Sequence, residues 1–161
     1  MTATVAALAL VLAACGGEKK GTEGTATTDT TAAAPAAGGE NAAAPAATGA
    51  THNVEMTMVN GQPRYVPAEI EVKPGDQIVF KNGEGGPHNV SFWGDSIPSG
   101  AAQALQSGMP DQTEPLHGPL LVENGATYTI TIPAAAPEGE YKFYCLPHLA
   151  MGMKGEMKVK K

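Results

Sequence analysis

One stretch, EYKFYCLPHLAMGM at residues 140–153, indicates both the fold of the chain and its chemistry. The first half of this stretch alternates, with Tyr141, Phe143 and Cys145 on one face, which is the period-two pattern of a half-buried strand. The second half places His148 and two methionines within eight residues of the cysteine. The stretch therefore predicts a β-strand that leads directly into a metal-binding loop.

The same alternation recurs in short segments across residues 51–161, separated by turn signals such as Pro-Gly-Asp at 74–76. Ser99 would cap one short helix over 99–106. Seven to eight short strands with Gly- and Pro-rich turns predict an all-β protein built as a β-sandwich. The predicted strands and edge segments are 52–58, 68–73, 77–81, 88–93, 120–122, 127–132, 140–145 and 156–160.

Composition limits the classes of function. The 161 residues carry a formal net charge of −6, so nucleic acid is not an expected partner. No apolar run reaches the ~20 residues of a membrane-spanning helix. Residues 51–161 hold 8 basic and 12 acidic residues, and this length is sufficient to bury a modest core.

The N-terminal segment has the pattern of an export signal. Residues 5–14, VAALALVLAA, form an apolar run that ends at Cys15, and the sequence LAAC at 12–15 resembles the lipobox of bacterial lipoproteins. We therefore expect residues 1–15 to be a lipoprotein signal, with Cys15 lipidated and the protein anchored to a membrane in the bacterial periplasm or at the cell surface. No Lys or Arg precedes the run, which departs from that pattern; the alternative is an ordinary signal peptide with an incidental cysteine.

Residues 16–50 are predicted to be a disordered tether. They consist of Gly, Ala, Thr, Pro and a few charged residues, and AAAPAA occurs at 32–37 and again at 42–47. No aromatic residue and no Val, Ile or Leu is present, so the segment cannot form a core. As a flexible coil it would span roughly 30–35 Å.

The spacing Cys145-x2-His148-x4-Met153 indicates a metal loop. A lone cysteine is more often a small apolar core residue, so the prediction depends on its neighbours. A thiolate, an imidazole and a thioether favour copper over calcium or magnesium, and a zinc site would require four strong ligands. His88, which follows a Gly-Gly-Pro turn, is the candidate for a second imidazole. Two His, one Cys and a weak axial Met form the ligand set of a blue-copper electron-transfer site.

The region 52–161 resembles the plastocyanin branch of the cupredoxins. The resemblance is carried by YVPAEIEV at 65–72, PGD at 74–76, PHNV at 87–90, YCLPH at 144–148 and GMKG at 152–155. It implies a Greek-key sandwich with one type 1 copper. In that arrangement His88, Cys145 and His148 would be equatorial ligands and Met153 the axial ligand, and Asn89 would hydrogen-bond near the cysteine loop and hold two loops together.

The axial position has two candidates. Met151 gives the shorter spacing found in amicyanin-like cupredoxins. Met153 gives the plastocyanin spacing, because Gly155 follows two residues later and the strand parity through Met157 and Val159 agrees. Met153 is the preferred prediction.

The resemblance also implies surfaces for electron transfer. Pro147 and Leu149 would form an apolar patch around the exposed edge of His148, suited to brief docking. By alternation Tyr144 would point outward, either as a second, remote exit or as an ordinary surface tyrosine. Trp93 is predicted to be packed or half-exposed, and His52 and His117 to be exposed.

The predicted function is that of a monomeric single-electron carrier, which is not an enzyme and which exchanges electrons with redox-protein donors and acceptors. The alternative is a protein that binds or delivers copper without shuttling electrons. A multicopper enzyme would require a second Cys-His loop, and a metal-free β-sandwich is the remaining possibility.

Overall fold

The computed structural model describes residues 47–161, in which two four-stranded sheets form an all-β sandwich, as predicted. The predictions for the lipoprotein signal, Cys15 and the tether up to residue 46 lie outside the described residues. One short helix and one 3-10 turn complete the described part. The elements are β1 (Thr51–Val59), β2 (Gln62–Val66), β3 (Glu69–Val72), β4 (Gln77–Asn82), β5 (Ser91–Phe92), α1 (Ala101–Ser107), β6 (Thr127–Thr131), β7 (Gly139–Tyr144), η1 (Leu149–Met151) and β8 (Lys154–Val159).

The strand order is β2-β1-β4-β6 in one sheet and β3-β8-β7-β5 in the other. β1 and β4 are parallel, with Thr51 opposite Gln77 and Met56 opposite Asn82. Both strands therefore begin at the same end of the sandwich, called here the far pole. Their other ends, and the loop that follows β7, lie at the opposite end, called here the loop pole.

The core is centred on Phe143, which points into the sandwich from β7. Its ring centroid lies 4.8 Å from that of Tyr65 and 5.7 Å from those of Phe80 and Phe92. The first two pairs are edge-to-face, the geometry that the aromatic quadrupole favours. All four rings are buried, so both sheets are joined by the same aromatic cluster just beneath the loop pole.

Strand β2 is absent from the sequence prediction. Its sequence, QPRYV, contains a proline and a charged residue and therefore lacks a clear alternating pattern. The signal that identifies it is the preceding Asn60-Gly61 pair, whose φ angles of 51° and 76° form a tight turn. Asn-Gly is the preferred pair for a two-residue hairpin, and β2 pairs antiparallel with β1 across it.

Three other segments differ from their predicted form. Residues 120–122 do not form a strand of either sheet. Within this segment only Leu121 makes a β-bridge, and its partner is His88. The predicted strand 88–93 is reduced to β5 plus that bridge. Ser99 does not cap α1: Gly100 occupies that position with φ 77°, and no side chain caps the helix.

Both ends of the described region are held at the far pole. The backbone N–H groups of Thr48 and Gly49 donate to the carbonyl oxygen of Gly75 at 3.1 and 3.0 Å. At the other end, the Lys160 N–H donates to Val72 O at 2.9 Å. Contacts of the folded unit thus extend to Thr48. Among residues 47–161, no helix is both long enough and apolar enough to cross a bilayer.

Asp76 organises the far pole. Its carboxylate accepts hydrogen bonds from the backbone N–H groups of Ala50 and Lys73 at 2.8 and 2.9 Å. It also lies 2.9 Å from His52 Nε2. His52 was predicted to be exposed, but its side chain is only 29% exposed because it packs against this carboxylate.

Candidate metal centre

The loop pole collects side chains from two separate segments. His88 lies in the connection between β4 and β5, and Cys145 follows the last residue of β7. His148 and Met153 flank the 3-10 turn η1, immediately before β8. Gly152, at φ 77°, reverses the chain after η1 so that Met153 returns to the core.

Three predicted ligands converge. His88 Nδ1 lies 3.1 Å from His148 Nδ1. Cys145 Sγ lies 3.6 Å from His88 Nδ1 and 3.5 Å from His148 Nδ1. The centre of such a triangle is about 2 Å from each atom, which is close to the lengths of metal–nitrogen and metal–thiolate bonds in proteins. His88 and Cys145 are fully buried and His148 is half-buried, so the three donors form a compact, largely dry site.

A backbone carbonyl determines the tautomer of His88. His88 Nε2 lies 3.2 Å from Glu84 O, and because a carbonyl can only accept, Nε2 carries the proton. The lone pair is therefore on Nδ1, which faces Cys145 and His148. This is the arrangement that a metal-ligating imidazole adopts when its other nitrogen is hydrogen-bonded.

The two methionine candidates occupy different environments. Met153 is completely buried; its N–H donates to His148 O at 3.2 Å, and its carbonyl accepts from Cys145 N–H at 3.1 Å. Met151 is 46% exposed and lies in η1, where its N–H donates to His148 O at 3.0 Å. Met153 is thus embedded between the two ligand residues, and Met151 lies at the surface beside them.

Asn89 joins the two ligand segments. It is buried, and its Oδ1 accepts from the N–H of Leu146 at 2.8 Å, which ties the residue after His88 to the residue after Cys145. Its Nδ2 donates to Ser91 Oγ at 3.1 Å. The side chain therefore fixes the separation of the two segments that supply the donors.

Comparison with known proteins decides the family. The family described as copper binding proteins, plastocyanin/azurin family, matches residues 52–160. The chain belongs to this family. It is 45% identical to plastocyanin of Vicia faba over 95 residues, covering 59% of this chain and 86% of that protein.

Two further relatives agree. The chloroplastic plastocyanin of Pisum sativum is 43% identical over 95 residues, which cover 59% of this chain and 51% of that protein. Among solved structures, the oxidized form of plastocyanin from Dryopteris crassirhizoma matches with a TM-score of 0.52 and 28% identity, covering 67% of this chain and 99% of that one. The protein is accordingly a copper-binding member of the plastocyanin/azurin family.

The donor chemistry fits copper. Burial raises the pKa of the Cys145 thiol, and the backbone of Asn89 and His148 offsets part of that effect. Burial lowers the pKa of His88, opposed by its bond to Glu84 O and reinforced by His148. Both shifts favour the uncharged form of the side chain. The cluster of metal-ligating groups in the described region contains no carboxylate, and a soft sulfur–nitrogen set of this kind suits copper.

The surface around the site is apolar. Leu146 and Met151 are 54% and 46% exposed, Pro147 is exposed, and Leu149 is half-buried. These residues flank or closely follow His148 in the sequence, and His148 is itself half-buried.

Tyr144 was predicted to point outward to the surface, but the structure buries it. It is only 7% exposed, because Trp93 stacks on its ring with centroids 4.4 Å apart and an interplanar angle of 28°. On another side, His117 Nε2 lies 3.4 Å from the tyrosine hydroxyl. His117 was predicted to be a solvated loop residue, and this contact explains why its side chain is only 24% exposed. The half-exposed Trp93 covers Tyr144, with the Lys154 ammonium 5.9 Å from the Trp93 ring centroid.

Proposed function

We propose that the protein is a one-electron carrier with a single type 1 copper centre, held at a membrane surface by a lipid on Cys15. The observation that carries the redox part is the buried triangle of His88 Nδ1, His148 Nδ1 and Cys145 Sγ, with edges of 3.1 to 3.6 Å. His88, Cys145 and His148 would hold the metal as equatorial ligands. Met153, buried beside them, would supply the axial thioether, with exposed Met151 as the alternative.

The chemistry that a bound copper supplies is a one-electron change between Cu(II) and Cu(I). The protein residues keep the same donor arrangement for both states: Asn89 fixes the spacing of the two segments, and Glu84 O fixes the orientation of His88. Burial of His88 and Cys145 excludes water from the thiolate. A preformed, rigid donor set reduces the rearrangement that accompanies each electron transfer.

Electrons would leave by one of two faces. The nearer is the rim of Leu146, Pro147, Leu149 and Met151 around His148, which suits a small and brief interface. The second begins at Tyr144, next to Cys145 in sequence, and reaches the surface through the stacked ring of Trp93. Partners on both faces would be redox proteins that donate or accept one electron.

An optical spectrum of the full chain loaded with Cu(II) tests the proposal. We expect a strong visible charge-transfer band that disappears with ascorbate and returns on reoxidation, with copper retained throughout. A weakly coloured protein would show that the thiolate does not bind copper. Release of copper on reduction would instead favour the alternative, a copper-delivery protein without an electron-shuttle role.

A further inference from the structure

Strand β2 reaches both ligand segments with two consecutive residues. It is an edge strand, paired only with β1 in its sheet. Successive side chains of a strand point to opposite faces, so Tyr65 points into the core and Arg64 points outward. Each makes hydrogen bonds to a different loop at the loop pole.

Tyr65 contacts the segment that carries His88. Its hydroxyl donates to Asn89 O at 2.6 Å, and the same Asn89 accepts the Leu146 N–H through its side chain. A continuous hydrogen-bonded chain thus runs from β2 through Asn89 to the residue after Cys145. The ring of Tyr65 is fixed by its edge-to-face contact with Phe143. Burial raises the pKa of Tyr65 well above 10, and Cys145 and Tyr144 add to this, so the hydroxyl remains a donor.

Arg64 contacts the segment between His148 and Met153. Its Nη1 lies 3.3 Å from Met151 O and 3.2 Å from Gly152 O, and 3.1 Å from its neighbour Pro63 O. The last carbonyl groups of a helical turn have no hydrogen-bond donor within the turn. Here the Arg64 guanidinium donates to the carbonyls of Met151 and Gly152. The chain immediately after these carbonyls is Met153.

We propose that β2 braces the copper site at two points: Tyr65 positions the His88 segment against the Cys145 segment, and Arg64 positions the loop that presents Met153. The proposal rests on the proposed function for its consequence, since a displaced donor would hold copper less tightly. It assigns positioning roles to two residues of an element that binds no metal itself.

Hydrogen exchange of the copper-free full chain separates the two contacts. Removing one hydrogen bond costs about 1 kcal/mol, which corresponds to roughly fivefold faster exchange of an amide that depends on it. Tyr65→Phe is expected to accelerate exchange at the Leu146 amide and to leave Met153 unchanged. Arg64→Met is expected to do the reverse, accelerating exchange at Met153.

Matched controls come from elsewhere in the fold. Tyr141→Phe also removes a buried hydroxyl that donates to a carbonyl, in this case Pro137 O at 2.7 Å, on the far-pole side of the core. Lys81→Met removes an exposed cation from the same sheet as Arg64. Neither control should change exchange at Leu146 or Met153.

Copper release to a chelator provides the second measurement. Loss of a residue that orients metal ligands typically weakens metal binding by about 10- to 100-fold, so we expect Tyr65→Phe and Arg64→Met to release copper faster than both controls. Arg64→Lys keeps a cation that can donate to the same carbonyl groups, so it is expected to release copper more slowly than Arg64→Met, which would support the Arg64 role. Uniform acceleration of exchange across the domain, or release within twofold of the controls, would overturn the brace. A wild-type protein without a blue band would overturn the proposed function alone, because the exchange experiment does not require copper.

Discussion

Cys145 is the only cysteine in the described region and the only sulfur donor there that can bind as an anion. Without its thiolate, the two imidazoles would form a weaker site with no sulfur charge-transfer transition. We expect Cys145→Ser to abolish the strong visible band of the copper-loaded protein. The control is Cys15→Ser, which removes the other cysteine of the chain and should leave the spectrum unchanged. A band retained in Cys145→Ser would contradict the ligand assignment.

The two methionines allow a direct test of the axial ligand. Met153 is buried beside Cys145 and Met151 is 46% exposed. Because the axial ligand tunes the potential of such a site, Met153→Leu is expected to shift the midpoint reduction potential and the relative intensities of the visible bands. Met151→Leu replaces the exposed thioether beside the site with a side chain of similar volume. It should change neither the reduction potential nor the band intensities. A shift confined to Met151→Leu would transfer the axial role to that residue.

Asp76 makes the stability of the far pole depend on pH. Burial alone would raise the pKa of its carboxyl, but hydrogen bonds from His52, Lys73 and Ala50 outweigh that effect and lower the pKa below its ordinary value of 3.8. A depressed pKa means that the contribution is fully present above about pH 4 and is lost as pH falls through the lower, folded-state value.

Asp76→Asn measures that contribution. The amide retains one acceptor oxygen and loses the other, so we expect a loss of about 1–3 kcal/mol in the free energy of unfolding at pH 7. Urea unfolding of both proteins at pH 7, 4 and 3 should show the difference shrinking at the lowest pH. A difference of equal size at pH 3 and pH 7 would show that the carboxylate charge is not responsible.

The ligand residues were predictable to different degrees. Cys145, His148 and Met153 lie in one short loop, where residue types and spacing alone suggest a metal. His88 is 57 positions from Cys145, so spacing could not indicate it; it was the candidate because the site needed a second imidazole and His88 follows a Gly-Gly-Pro turn, and the family resemblance then implied its role as a ligand. Arg64 was not predicted, because its acceptors lie 87 and 88 positions away and nothing in the local sequence indicates that contact.

At the scale of elements, strands with one buried face were predicted closely, since their alternation records which side packs on the core. β3, for example, was expected at 68–73 and runs from Glu69 to Val72, with Ile70 and Val72 buried. The prediction of an edge segment at 120–122 was wrong because Leu120 and Val122 are 49% and 69% exposed. The apolar character of this segment therefore does not reflect burial. β2 was missed because it is an edge strand specified by its turn and by pairing with β1.

Gly155 shows how tightly one element packs on another. A methyl group at this position in β8 would overlap the ring of Phe143 and lie 2.8 Å from Ala68 O. We expect Gly155→Ala to lower the free energy of unfolding by about 1–3 kcal/mol, because a buried ring and a backbone carbonyl would both have to shift. Gly94→Ala is the control: its methyl would meet only Leu116 Cδ1, at 3.7 Å, and should change stability by less than about 0.5 kcal/mol. Equal effects in denaturant unfolding would contradict this packing argument.

At the scale of the whole molecule, the predicted lipoprotein signal has a testable consequence for where the protein is found. If Cys15 carries the lipid, Cys15→Ser is expected to move the protein from the membrane fraction to the soluble fraction of a bacterial host. Cys145→Ser, which leaves the predicted lipobox unchanged, should remain with the membrane. Mass spectrometry of the purified chain would detect the acyl groups directly. A wild-type protein found only in the soluble fraction would contradict the anchor.

The two ends of the described region lie at the pole opposite the copper loops, since Thr48 and Lys160 both bond to that end of the sandwich. The six residues of β4 span about 20 Å between the poles. A fusion protein, an affinity tag or a linker to an electrode could therefore be joined at either end without covering the ring of His148. An attached electron donor would reach the ring of His148 only if its linker were long enough to curve around the full height of the sandwich, so linker length would control direct electron exchange through that ring.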